Sequence, residues 1–395
     1  MFFHIFAVVI ERLMSNRKYK IVYCTPSLYM AGGVERVLTL KANCFAEKYG
    51  YDITIITTDG KNKPNFFPLS NMVNVINLDI NFEELWHRCL VSRIYLYLLK
   101  QRQYKQALSK ELNRIKPDIT ISTLRREINF ISDIHDGSLK IGEIHINRAH
   151  YRNFTPNRTN PFKALFACYW KLGLVDKVKN LDRFVVLTEY DRQAWQEIPR
   201  VDVIPNPLPF SPITIDGPRP KRVIAVGRYF DEKGYDMLLQ AWSFVEKENK
   251  EWTLDIFGDG NKTLYERIAN SLGLDMQRCH LNDSVVDVQK EYLGSSLFVC
   301  TSRFEGFGMG IIEAMACGLP VVAFDCLWGP RSIIKNGVDG ILVENGNVEK
   351  MAKTILSLII SPDKLSQMGK NARKNVCRFN MDTVAEQWKQ LFDSL

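Results

Sequence analysis

A repeated alternation between short β-branched, apolar runs and longer amphipathic stretches constrains the fold of this chain more than any other feature. The apolar runs have the length of strands, and the amphipathic stretches have the periodicity of helices. This alternation is typical of a parallel, doubly wound α/β sheet, because parallel strands need crossover connections. The predicted strands form two series: residues 20–25, 51–58, 117–122 and 183–188, then residues 222–227, 252–258, 297–302, 321–325 and 340–343.

A proline-rich segment separates the two series. Residues 203–212 contain four prolines, and a regular element cannot continue through them. A chain of 395 residues also exceeds what one hydrophobic core usually serves. We therefore predict two Rossmann-like domains that face a central cleft. The N-terminal domain spans residues 1–205 and the C-terminal domain residues 206–378, and residues 379–395 form a helix that packs back on the N-terminal domain.

The cysteines and the first residues bear on the cellular compartment. Nine cysteines are scattered along the chain without Cys-x-x-Cys spacing, and some lie in apolar runs, as Cys300 does. This pattern indicates buried thiols in a reducing compartment and argues against a disulfide framework or a zinc site. The first ten residues are apolar but too few to span a bilayer. We expect a cytoplasmic protein, with residues 1–13 either a start-site artefact or a short membrane-touching extension.

The strongest chemical motif lies in residues 303–320, where a predicted strand passes through a glycine-containing loop into a helix. The amino end of a helix favours an anion such as a diphosphate, because its N–H groups are unpaired and its dipole is positive there. Glu305 is expected on the loop and Glu313 in the first turn of the helix. Two carboxylates in one pocket suit two sets of sugar hydroxyls, which donate charge-assisted hydrogen bonds to them.

Three further segments are candidates for ligand contact. Arg228 and Lys233 follow the first strand of the second series, where their positive charges suit a leaving diphosphate. The paired glycines Gly32 and Gly33 link the first strand to the first helix, in a turn that presents backbone N–H groups. His145 follows a predicted strand, although a lone histidine is more often structural than functional.

Together these motifs resemble the retaining GT-B glycosyltransferases of family 4, also described as glycosyl transferases group 1. Glu305 and Glu313 match the Glu-x7-Glu motif of that family. The resemblance implies that Glu305 contacts the transferred sugar and that Glu313 holds the nucleotide ribose. It also implies phosphate contacts from Arg228 and Lys233 and a donor-sugar contact from His145. The remaining donor-binding residues that it implies are Gly32, Gly33, Gly227, Phe307, Gly308, Met309 and Gly310.

The resemblance implies a hexosyltransferase that moves a sugar from a nucleotide-sugar, expected to be UDP-linked, to a glycan or lipid-linked acceptor of cell-surface polysaccharide or lipopolysaccharide. An Asp-x-Asp motif is absent, so we expect no metal and no other cofactor. Two alternatives remain open: a nucleotide-sugar epimerase of the same fold, and a non-catalytic sugar- or lipid-binding protein. Nucleic acid is not an expected partner, since no recognition module is present.

The charge distribution suggests a further partner. Residues 1–200 hold 30 Lys and Arg against 19 Asp and Glu, whereas the remainder has a net charge of −3. Basic and apolar residues are interleaved over residues 84–116 and again over residues 148–183, around Trp86 and Trp170. Such surfaces suit peripheral binding to anionic lipid, here the inner face of the plasma membrane. A solvated helix face over a core is an equally good interpretation of the same pattern.

Overall fold

The computed structural model describes residues 17–148, 151, 173–213, 217–326 and 328–395. The expectation for residues 1–13, and most of the second basic stretch with Trp170, lie outside these ranges. The chain divides into two compact units. The first contains the residues up to Pro207 together with Met381–Leu395, and the second is Leu208–Asn380.

The first unit is built on a seven-stranded parallel sheet in the order β3-β2-β1-β4-β5-β6-β7. After β3 the chain returns to the middle of the sheet, where β4 pairs with β1. The strands are β1 Lys20–Thr25, β2 Asp52–Thr57, β3 Val73–Asn77, β4 Ile119–Ser122, β5 Leu139–Glu143, β6 Arg183–Val186 and β7 Val201–Val203. Its helices are α1 Gly33–Glu47, α2 Leu90–Ile115, α3 Glu189–Ala194 and the C-terminal α11 Met381–Asp393.

Two apolar layers cover the two faces of this sheet. Alternate side chains of β1 point to opposite faces, so Val22 lies in one buried cluster and Ile21 in the other. The C-terminal helix α11 belongs to the second layer, where the Phe392 ring lies 5.6 Å from the ring of Phe45 in α1. The Tyr19 hydroxyl in turn donates to Asp393 at 2.9 Å. Burial on both faces explains why the strand sequences are apolar runs without a polar face.

The second unit is built on a six-stranded parallel sheet in the order β10-β9-β8-β11-β12-β13. Again the chain runs outward from the first strand and returns, so that β11 pairs with β8. The strands are β8 Arg222–Val226, β9 Thr253–Phe257, β10 Cys279–Asn282, β11 Leu297–Cys300, β12 Val321–Phe324 and β13 Gly340–Val343. The helices are α4 Tyr235–Glu248, α5 Lys262–Ser271, α6 Val288–Leu293, α7 Met309–Ala316, α8 Pro330–Ile333, α9 Val348–Ile359 and α10 Pro362–Val376.

The expected α/β class with Rossmann-like parallel sheets is confirmed, since every strand pair in both sheets is parallel. The strands that the sequence pattern did not predict include β3, β7 and β10, which lie at sheet edges. Edge strands have one paired neighbour and are less buried, so their sequences lack a long apolar run. Among the described residues, none of the helices combines the length and the hydrophobicity that a membrane span requires.

Asp191 is a buried carboxyl group at the start of α3. Its backbone N–H donates to the Thr188 hydroxyl oxygen, and the Thr188 hydroxyl donates to Oδ2 of the Asp191 carboxylate, each at 3.1 Å. The other oxygen, Oδ1, is buried and has no hydrogen-bond partner among the described residues. Burial raises the pKa of Asp191 to about 7, against the opposing effect of the Thr188 hydrogen bond.

We expect Asp191→Asn to remove a pH dependence of stability. Between pH 4 and pH 7 the unfolded chain releases the Asp191 proton while the folded protein keeps it, so the free energy of unfolding falls as pH rises. The variant should match the wild type near pH 4.5 and be more stable at pH 8, by about 1–3 kcal/mol. Urea unfolding at both pH values measures this difference. The exposed Asp363→Asn serves as control, and identical pH profiles for wild type and Asp191→Asn would contradict the assignment.

Candidate donor-binding site

The second unit presents its candidate site where its strand order reverses. β8 and β11 are adjacent and parallel, so the loops that follow them leave the same edge of the sheet. The loop after β8 carries Gly227, Arg228 and Lys233, and the loop after β11 carries Glu305. In open α/β sheets, the carboxyl edge at such a reversal is where ligands bind.

Lys233 and Glu305 form an ion pair across these two loops. The Lys233 Nζ lies 2.6 Å from Oε1 of Glu305, and the side chains are 22% and 13% exposed. The hydroxyl of Ser302 donates to the same oxygen at 2.6 Å. Burial lowers the pKa of Lys233, but the Glu305 carboxylate, together with Cys300 and Glu232, more than offsets this, so the pKa is raised and the ammonium stays charged. The structure thus joins two of the predicted residues, 72 positions apart in sequence.

Several contacts fasten the loop after β8 to the segment after β11. The Thr301 hydroxyl donates to the Lys233 carbonyl at 3.1 Å, and the Arg303 N–H donates to the Glu232 carbonyl at 2.8 Å. The Arg303 guanidinium also holds both carboxylate oxygens of Asp236, at 2.9 and 2.7 Å. Gly234 has a φ of 61°, and a Cβ there would lie 2.2 Å from the Thr301 carbonyl oxygen. The position of the Lys233 backbone is therefore set by packing.

Arg228 lies on the outer part of the same turn. Its side chain is 59% exposed and pairs with Glu232 at 2.8 Å. The guanidinium carbon also lies 4.8 Å from the centre of the Phe230 ring. Gly227, one residue earlier, is confined, since a Cβ there would lie 3.0 Å from both Cε of Lys233 and the Tyr235 hydroxyl. An exposed guanidinium beside a tight turn is accessible to an incoming anion.

Helix α7 begins directly after the Glu305 loop. Gly308 precedes its first residue with a φ of 105°, a conformation that side chains rarely adopt. Met309 and Gly310 are the first two residues of α7. Phe307 is buried and its ring meets that of Phe379 edge-on at 5.4 Å, so its side chain anchors the loop. A Cβ at Gly329 would lie 2.5 Å from the Phe307 carbonyl oxygen, so this loop is closely packed.

Glu313 lies further along helix α7 than the sequence predicted. It is the fifth residue of α7 and therefore at the start of the second turn, so the expected first-turn position was wrong by about one residue. The cause is that the helix begins at Met309, immediately after Gly308 turns the chain. The side chain is only 4% exposed, and the Tyr292 hydroxyl donates to its Oε2 at 3.2 Å.

In the first unit, Gly32 precedes the first residue of α1 with extended backbone angles, and Gly33 is the first helical residue. His145 lies two residues beyond the end of β5 and is nearly buried. Its Nε2 is 3.4 Å from Oε1 of Glu143, a carboxylate that also pairs with the buried Lys41.

Sequence reasoning did not identify Ser302, Tyr292, Lys41 or Glu143 as neighbours of the predicted site residues. Ser302 lies three residues before Glu305 and Glu143 two residues before His145, so local spacing was the signal that could have identified them. Tyr292 and Lys41 come from separate elements, and only the folded sheet places them against Glu313 and Glu143.

Comparison with known proteins identifies the family of this chain. Residues 215–375 match the family described as Glycosyl transferases group 1. An uncharacterized glycosyltransferase of Haemophilus influenzae is 30% identical over 380 residues, a match that covers 94% of this chain and 99% of that protein. The poly(ribitol-phosphate) alpha-N-acetylglucosaminyltransferase of Staphylococcus aureus is 28% identical over 265 residues, covering 66% of this chain and 52% of that enzyme.

A solved structure shares the fold of this chain. A variant of S. aureus TarM in complex with fondaparinux, alpha-GlcNAc-glycerol and UDP superposes with a TM-score of 0.77 at 17% identity. The superposition covers 95% of this chain and 99% of the TarM chain. This likeness confirms the expected GT-B fold class.

Proposed function

Because this chain belongs to the glycosyl transferases group 1 family, we propose that it moves a hexose-type sugar from a UDP-sugar to a glycan or lipid-linked acceptor, with retention of anomeric configuration. The observation that carries the proposal is the Lys233–Glu305 ion pair at the reversal of the second sheet, beside the first turn of α7. A cation, a carboxylate and a helix amino end together suit the leaving diphosphate and the sugar hydroxyls of a nucleotide-sugar.

In this mechanism Glu305 accepts hydrogen bonds from hydroxyls of the transferred sugar. Lys233 and Arg228 neutralise the charge that develops on the diphosphate as the glycosidic bond breaks. When the donor binds, the Lys233 ammonium shares its charge between Glu305 and a phosphate oxygen. Front-face attack by the acceptor hydroxyl, assisted by a leaving phosphate oxygen, then gives retention.

Glu313 is proposed to hold the ribose of the donor nucleotide. Its carboxylate is buried and bonded by the Tyr292 hydroxyl, which fixes its orientation. Gly310 lies one turn earlier on α7, where a Cβ would lie 3.3 Å from the Phe298 ring, so the helix packs closely on β11. For the first unit we propose that Gly32 and Gly33 contact the donor diphosphate and that His145 contacts the donor sugar.

The acceptor proposal rests on the relatives. One of them is a poly(ribitol-phosphate) alpha-N-acetylglucosaminyltransferase and another is a lipopolysaccharide 1,6-galactosyltransferase of Salmonella typhimurium. The first of these relatives acts on poly(ribitol-phosphate) and the second on lipopolysaccharide. We therefore propose a role in cell-surface polysaccharide biosynthesis. We also propose that the protein works in the cytoplasm, against the inner face of the plasma membrane.

A donor screen tests the activity. The wild type is incubated with UDP-glucose, UDP-N-acetylglucosamine, UDP-galactose and GDP-mannose, and nucleotide release is followed by mass spectrometry. Glu305→Ala and Glu313→Ala should each lose about 1.5–3 kcal/mol of transition-state stabilisation, which is about 10- to 150-fold in kcat/KM. Glu291→Gln, in a partly buried ion pair with Arg222 at 2.9 Å, is the matched control and should stay near wild type.

The same screen separates the alternatives. An isomerised nucleotide-sugar without nucleotide release would indicate an epimerase, and absence of turnover with tight binding would indicate a binding protein. Near wild-type turnover in both glutamate variants would contradict the site assignment. An inverted anomeric centre in the product, read by NMR, would contradict the retaining mechanism.

Activity is expected to survive EDTA. Within the described ranges, no group of three His, Cys, Asp or Glu side chains has metal-binding geometry. We therefore propose that Arg228 and Lys233 neutralise the diphosphate, and Arg228→Ala should lower kcat/KM by about 10- to 100-fold. Activity that EDTA abolishes and Mg²⁺ or Mn²⁺ restores would contradict this proposal.

The membrane proposal rests on helix α2. Ile94, Tyr95, Leu98 and Leu99 are 55%, 63%, 62% and 41% exposed and follow helical spacing along one stripe. The exposed residues Arg93 and Arg102 lie on the same helix. Apolar side chains flanked by cations suit the headgroup region of an anionic bilayer, to which each nearby cation contributes about 1 kcal/mol.

Vesicle sedimentation tests this surface. The wild type should sediment with phosphatidylglycerol-containing vesicles at low salt and be released at high salt, because salt screens the attraction. Ile94→Glu with Leu98→Glu should lower the bound fraction severalfold. Phe244→Glu, at an exposed apolar position of the second unit, should leave binding unchanged. Equal binding of the wild type to neutral and anionic vesicles, or to neither, would contradict the proposal.

A further inference from the structure

A charged cluster lies inside the first unit, between helix α1 and the end of β5. Lys41 is 1% exposed and Glu143 is 2% exposed, and the Lys41 Nζ lies 2.5 Å from each oxygen of the carboxylate. The Nε2 of His145, whose side chain is 7% exposed, lies 3.4 Å from Oε1 of the same carboxylate. One buried anion therefore faces two basic groups.

The carboxylate is ionised. Burial raises the pKa of Glu143. The positive charge of Lys41 and the contact with His145 lower the pKa by more than burial raises it, and the net pKa is about 2. Burial also lowers the pKa of Lys41, against the opposing effect of Glu143. The Lys41 ammonium lies 4.4 Å from the centre of the Trp388 ring of α11, which covers it with an aromatic face.

The cost of such a pair suggests a use beyond stability. Desolvation of two charges can exceed their mutual attraction, and apolar residues of similar size often replace a buried pair without loss of stability. The positions of Lys41 and Glu143 also relate the pair to the predicted donor-binding residues of the first unit. Lys41 is about 12 Å along α1 from Gly33, and Glu143 ends a central strand at the edge of the sheet where ligands bind.

The backbone places Glu143 and His145 on the same side of the chain. Pairing with β6 continues one residue beyond β5, because the Ile144 N–H donates to the Val185 carbonyl at 3.1 Å. In extended chain, residues two apart face the same way. The Glu143 carboxylate is thus held by Lys41 on one side and is presented to the imidazole of His145 on the other.

We propose that Glu143 and Lys41 are positioning residues for His145: the carboxylate accepts a hydrogen bond from the Nε2–H of His145, and Lys41 holds that carboxylate in place. Carboxylates that accept from one ring nitrogen set the tautomer and orientation of a histidine, and so set what the other nitrogen can do. In this arrangement Nδ1 is the nitrogen left to interact with substrate. The expected effect on turnover rests on the proposed function, in which His145 contacts the donor sugar. The expected effect on the tautomer of the His145 ring does not depend on that contact.

The test variant is Lys41→Met combined with Glu143→Gln. The combination removes both charges, so it does not leave an uncompensated buried ion, and it retains side-chain volume. The matched control is Lys140→Met with Asp136→Asn, which removes another buried ion pair of the same unit, at the other end of β5. Both variants are first checked for native circular dichroism and cooperative unfolding.

The first measurement needs no substrate. Nitrogen-15 NMR of the histidine ring, assigned by comparison with His145→Ala, should show a Nε2–H tautomer for His145 in the wild type and in the control variant. The Lys41→Met/Glu143→Gln variant should show a changed tautomer population or exchange between tautomers. Unchanged His145 ring signals in that variant, or an Nδ1–H tautomer in the wild type, would overturn the positioning role.

The second measurement is a double-mutant cycle on kcat with the UDP-sugar that the donor screen selects. The paired change should lower kcat about tenfold in the wild-type background and less than twofold in the His145→Ala background, because its effect passes through the ring. Equal losses in both backgrounds would show that Glu143 has a structural role only. If His145→Ala itself leaves kcat unchanged, the proposed sugar contact fails, and the NMR result still decides the positioning role.

Discussion

The return of the chain to the middle of each sheet is the constraint on which the rest of this structure depends. In the second unit, β11 pairs with β8 through Leu297 and Val223, although two strands and three helices separate them in sequence. Crossover connections in parallel sheets have one hand, so reversal of the strand order leaves a crevice where two loops diverge. Lys233 and Glu305 extend from the two loops at this place, and their ion pair follows from the topology.

Close backbone packing then gives the site its geometry. Gly234, Gly308 and Gly329 lie where a side chain would collide with neighbouring atoms or where φ is positive. Gly234 and Gly329 let one loop approach the main chain of another, and the Arg303 N–H donates to the Glu232 carbonyl at the same place. A site held by such contacts loses little conformational freedom on binding a ligand, which favours preorganised stabilisation of charge.

The two units place their charges in different environments. Lys233 and Glu305 remain partly exposed, so a phosphate can reach the ammonium and compete with the carboxylate. Lys41 and Glu143 are buried beside Trp388, and their charges interact with each other, with His145 and with the neighbouring aromatic rings. The same pair of residue types thus fits the proposed ligand contact at one depth and the proposed orientation of a side chain at another, because burial decides which partners are accessible.

The amino-acid sequence by itself determined the α/β class, the parallel sheets and most strands, because fully buried strands require apolar runs that a pattern reveals. It also indicated Glu305, Arg228, Lys233 and Glu313, since glycine turns and charged residues follow predicted strands at informative spacing. Short edge strands such as β7 escaped prediction because they bury less surface. Only the tertiary structure decided that Lys233 pairs with Glu305, that Tyr292 reaches Glu313, and that Lys41 lies buried beside Glu143. Those contacts join elements far apart in the chain, and their formation depends on strand order and burial, which no local pattern records.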